Sequence, residues 1–64
     1  MYERLREIVR QQGLSINKLA LLSNITPADL YSAMSGKKPF FPNWRKRVAL
    51  TLNVTEDELF VDVE

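Results

Sequence analysis

A chain of 64 residues with nine Lys and Arg, eight Asp and Glu, and neither Cys nor His specifies one small domain, residues 1–64. That composition excludes disulfides, thiolate chemistry and the usual zinc ligand sets, and so short a chain buries only about 60% of the surface its unfolded form exposes. The net charge of +1 hides a split: residues 1–55 carry all nine cations against Glu3, Glu7 and Asp29, a net of +6, while residues 56–64 hold five acids and no cation.

A basic body with an acidic end can bind a polyanion and stay near neutrality, although the same charges also suit an ordinary solvated surface. No apolar run approaches the ~20 residues of a membrane span, and no signal peptide opens the chain. The expected location is the cytoplasm, without membrane contact.

The first element predicted is a helix over residues 2–12. Tyr2, Leu5, Ile8, Val9 and Gln12 recur at helical spacing, and charged residues take most of the other positions. Gly13 ends it. One local pattern then occurs three times, as Gly13-Leu14-Ser15, Asn24-Ile25-Thr26 and Asn53-Val54-Thr55. A Gly or Asn takes positive φ and closes a helix, an apolar residue follows, and a Ser or Thr caps the next helix. The pairs Leu14–Leu19, Ile25–Leu30 and Val54–Leu59 suit hydrophobic staples, and Asp29 and Glu58 stand where capping-box acids belong. Pro27 occupies the first helical position, where its missing N–H costs nothing.

These junctions predict helices over about 16–23, 27–35, 43–52 and 56–60, and therefore an all-α fold. Gly36 closes the third helix, and Lys37-Lys38-Pro39-Phe40-Phe41-Pro42 forms a loop stiffened by two prolines. The predicted core comprises Leu5, Ile8, Val9, Leu19, Ala20, Ile25, Leu30, Ala33, Met34, Trp44, Val48, Leu52, Val54 and Leu59. Trp44, Val48 and Leu52 lie one above another on the fourth helix. Leu21 and Leu50 point away from the core, Leu22 lies on the flank of its helix, and the three form a candidate partner surface. The end, Phe60-Val61-Asp62-Val63-Glu64, alternates in a way that fits either a short strand across a dimer or a frayed terminus. No catalytic constellation is visible: the serines have no His partner, and no Gly-rich phosphate loop is present. Neither an enzyme, nor a cofactor, nor a bound metal is expected.

Leu19-Ala20, the turn Asn24-Ile25-Thr26, Leu30, Gly36-Lys37-Lys38 and the run from Val48-Ala49 through Leu52-Asn53-Val54-Thr55 to Leu59-Phe60 carry a resemblance. Over residues 3–60 the chain resembles the lambda-repressor-like helix-turn-helix family of phage repressors, Cro proteins and XRE-type bacterial regulators. The resemblance implies a compact five-helix domain, usually a dimer on double-stranded DNA, with its third helix in the major groove. It also implies a transcriptional repressor of a phage or mobile element, acting in the cytoplasm of a bacterial cell. The positions where such proteins touch bases match Pro27, Ala28 and Ser32, with Lys38 following in the loop. Tyr31 can reach a phosphate or a base edge. Ile16, Asn17 and Lys18 at one helix start, Thr26 at the next, and Lys37 with Lys38 complete the expected DNA contacts.

The chain departs from the family pattern at Ile16, where a backbone-contacting Gln is common. Its base-reading positions also lack Arg, Gln and Asn, so phosphates and DNA shape should carry more of the recognition than base edges do. A second reading stays open, in which the helix-turn-helix shell is a protein-interaction module that holds an antirepressor, toxin or regulator through Leu21, Leu22 or Leu50.

Overall fold

The computed structural model describes residues 1–63. They form α1 (Glu3–Gln11), α2 (Ile16–Leu22), α3 (Pro27–Met34), α4 (Pro42–Leu52) and α5 (Glu56–Leu59), all within one residue of expectation. No strand occurs among the described residues, and no helix is long and apolar enough to cross a membrane.

The helix ends share one geometry. Gly13, Asn24, Gly36 and Asn53 have φ of 73°, 58°, 85° and 59°. After each, the next residue's N–H returns to the helix: Leu14 donates to Val9 O, Ile25 to Ala20 O, Lys37 to Ser32 O and Val54 to Ala49 O, at 2.9 to 3.1 Å. These are Schellman closures, which use carbonyls that a helix end would otherwise leave unpaired. The starts are equally local. Ser15, Thr26 and Thr55 accept through their hydroxyls from the N–H groups of Lys18, Asp29 and Glu58, at 3.0, 3.2 and 3.2 Å.

The core is mostly the predicted one. Leu5, Leu19, Leu30, Val48, Leu52 and Leu59 are fully enclosed. Val54 and Trp44 are only half-buried and pack against the core from its edge. Trp44 stands in the first turn of α4, and its ring meets exposed Phe41 edge-on, centroids 4.7 Å apart. Phe40 enters the core instead, with Tyr2 and Phe60. Their ring centroids lie 5.3 Å (Tyr2–Phe40), 5.1 Å (Phe40–Phe60) and 6.2 Å (Tyr2–Phe60) apart. Arg45 covers this cluster, with its guanidinium 4.8 Å from the Phe60 centroid and Nε donating to Phe40 O at 3.2 Å.

The chain end is neither a strand nor a frayed tail as far as Val63. Phe60 is buried, Val63 packs on the core, and Asp62 Oδ2 accepts from the Arg4 N–H at 3.1 Å. That bond supplies α1 with the cap its own N-terminal flank lacks, because no local side chain caps it. Glu64, the last residue of the acidic segment 61–64, lies outside the described residues.

Candidate nucleic-acid interface

The helix pair predicted to read DNA is built by its sequence from both ends. α2 and α3 are the most extensively packed pair of helices in the fold. Leu19 and Ala20 from α2 meet Leu30, Ala33 and Met34 from α3 in the core, with Ile25 closing the turn between them. The turn is also fixed from behind. Ser23, the one buried polar residue among those described, bonds its hydroxyl to Thr51 Oγ1 at 2.9 Å. Thr51 donates its own proton to Arg47 O at 2.9 Å, so Ser23 must be the donor between the two hydroxyls. Arg47 Nη1 adds a bond to Asn24 O at 3.3 Å. Arg45, Lys46 and Arg47 form a run of three cations on α4. Arg45 and Arg47 each donate to a protein carbonyl, whereas the exposed Lys46 side chain makes no such bond among the described residues.

α3 leans chiefly on α2, which leaves its other flank open. Ala28 and Tyr31 are exposed there, Tyr31 by 53%, and Ser32 and Pro27 are half-buried. Other expected contact residues are more constrained. Ile16 is partly buried and packs against the core, so it offers little surface. The Thr26 hydroxyl and the Lys18 N–H are spent on helix caps, although the Lys18 side chain remains exposed beside exposed Asn17. In the first turn of α3, where Pro27 has no N–H, the caps to Asp29 and Leu30 leave only the Ala28 N–H facing outward.

Lys37 and Lys38 are both exposed, but they are not equivalent. Lys38 Nζ donates to Asp29 Oδ1 at 2.6 Å. Asp29 thus turns to Lys38, and among the described residues it forms no reciprocal bond to the Thr26 N–H of the kind a capping box would have. Lys38, and after it the Thr26 hydroxyl, holds the Asp29 carboxyl below the ordinary carboxylate range. Nine residues separate the pair, so no helical spacing rule points to it. The other element that sequence reasoning passed over is the exposed Phe41–Trp44 edge contact, whose signal lay in the Phe-Phe step of the loop.

The three leucines are outward, as expected: Leu21 is 60%, Leu22 54% and Leu50 81% exposed. Leu21 and Leu50 line separate grooves. Leu21 lines a shallow groove with Asn24, Ile25, Thr26 and Pro27, next to the candidate DNA residues. Leu50 lines a different groove with Lys46, Ala49, Val54, Thr55 and Glu56.

Comparison with protein-family models, curated proteins and solved structures finds no match to this chain. Any functional reading therefore rests on the geometry and chemistry of these residues.

Proposed function

We propose that the chain is a DNA-binding transcriptional regulator of phage-repressor or Cro type, a lambda-repressor-like helix-turn-helix domain. In this reading α3 enters the major groove, and a dimer occludes a near-palindromic operator with half-sites about one helical turn, ~34 Å, apart. The observation that carries it is the exposed flank of α3. Ala28, Tyr31 and the partly exposed Ser32 face outward on a helix seated against a firmly braced α2, and lysines lie in the first turn of α2 and just past α3. Ala28 and Pro27 can meet a thymine methyl, Ser32 can bond to more than one base, and Lys18 and Lys37 can meet phosphates.

Selection of bound sites from random duplex DNA tests the reading. A preferred site should emerge, and affinity for it should fall with salt at a log–log slope of about −0.9 per phosphate neutralised. Absence of binding at low salt overturns it.

One observation favours a protein-interaction module instead: Leu50 is 81% exposed on a groove remote in sequence from α3. Leu50→Glu separates the two readings. Leu21→Glu would not, because Leu21 shares its groove with Thr26 and Pro27. If Leu50→Glu leaves DNA affinity and self-association intact and no partner is lost, the interaction reading fails.

A further inference from the structure

Leu50 is the most exposed large apolar side chain among the described residues, at 81%. It stands near the end of α4, about one helical turn beyond Lys46. The backbone around it is fixed. Asn53 takes a φ of 59° and the Val54 N–H returns to Ala49 O at 3.1 Å, so the step from α4 to α5 has a set shape. That step encloses a groove of about 360 Å³ lined by Lys46, Ala49, Leu50, Val54, Thr55 and Glu56. Its floor is apolar: Ala49 is buried and Val54 packs against the core. Its rim carries one cation, Lys46, and one acid, Glu56. The three ion pairs among the described residues are made by other groups, so these two charges border one groove without pairing.

We propose that this groove is the contact surface between two copies of the chain, related by a two-fold axis. This rests on the DNA reading given above only for the use made of the dimer. A two-fold contact must be complementary to itself, so one patch has to carry both a projection and a hollow, and both signs of charge. The Leu50 patch does. Leu50 of one copy lies against the partner's Ala49 and Val54, its Lys46 meets the partner's Glu56, and symmetry repeats both contacts. A different protein with a rim of one sign would set a like charge against either Lys46 or Glu56, whereas a second copy satisfies both. The groove beside Leu21 fails the same criterion, because Asn24, Ile25, Thr26 and Pro27 bring no charge to it. Two leucines and four rim charges suit a small, reversible interface.

Sedimentation equilibrium of the full chain without DNA, at low salt and up to about 1 mM protein, tests it. The parent protein should dimerise reversibly. Leu50→Ala should weaken the dimer about fifty-fold, because each interface loses two leucines. Lys46→Glu and Glu56→Lys should each weaken it about ten-fold, since either swap sets two like-charge pairs in a symmetric dimer. Mixed in equal amounts, the two swapped proteins should associate nearly as the parent does, because acid then meets cation at both ends of the interface. Leu50→Ala and Lys46→Glu alter exposed positions, so they keep the test valid should Glu56→Lys, at a helix start, fold poorly. A monomeric parent overturns the proposal and leaves the groove to a different protein. A dimer indifferent to Leu50→Ala, or swapped proteins that fail to rescue each other, overturns it as well. If a selected duplex is bound tightly while the variants associate as the parent does, the interface fails and the DNA reading stands. If association follows the variants as stated and no duplex is bound at low salt, the DNA reading fails and the interface stands.

Discussion

The two sides of this domain are held together by different means. The α2–α3 side depends on short-range contacts: two hydroxyl caps, two Schellman closures and aliphatic residues a few positions apart. The side formed by the start of α1, the loop before α4 and the chain end depends on long-range ones. Tyr2, Phe40 and Phe60 meet there from three distant stretches, and Asp62 caps a helix that begins 59 residues earlier. A face stiffened from within leaves its outer residues without a structural duty. The opposite side must use its side chains on the fold itself, as Arg45 does with its bond to Phe40 O and its guanidinium over the Phe60 ring.

If that division is right, the largest effect belongs to Phe40→Ala. Loss of a buried aromatic costs about 3–5 kcal/mol, and at roughly 4–8 °C per kcal/mol for a domain of this size the melting temperature should drop by more than 12 °C. Thermal denaturation followed by circular dichroism measures it. Thr26→Ala should cost about 1 kcal/mol, the worth of one N-cap, and should leave the aromatic side untouched. Were Thr26→Ala to prove as damaging as Phe40→Ala, the two sides would not be held by such unequal means.

The smallest effect concerns Asp29. Its carboxyl is held below the ordinary carboxylate range by Lys38 and Thr26, so the stability it contributes is present above that range and is lost as pH falls through the lowered value. The melting temperature of the parent protein should therefore fall more steeply in acid than that of Asp29→Asn. Coincident acid limbs would mean that the pair adds nothing to the folded state, in line with the low worth of most exposed ion pairs.

These unequal means also explain what could be read from sequence. Helix ends were legible because Gly13, Asn24, Gly36 and Asn53, with Ser15, Thr26 and Thr55, act on neighbours within six residues. Phe40 was not, since the prolines on either side of Phe40-Phe41 mark only a loop and do not say which phenylalanine turns inward. Trp44 packs against the core less deeply than Val48 and Leu52, with which helical spacing aligned it, because the first turn of α4 lies at the core's margin. Of the candidate interface, the outward position of Leu50 was legible from the helix pattern, while Ala28 and Tyr31 were picked out through the resemblance. The Asp29–Lys38 pair and the capture of Arg47 by Asn24 cross element boundaries, where no spacing rule applies.

The four Schellman closures have a consequence in time as well as in space. Each helix that ends in one stops at its own signal, before any partner is present. The chain therefore searches among arrangements of rods whose lengths are already set, and helical domains dominated by such local contacts fold in about microseconds to milliseconds. The junction of Tyr2, Phe40 and Phe60 requires both chain ends and the middle to be in place, so it belongs to the last step. Weakening it should quicken unfolding and leave the rate of folding nearly unchanged.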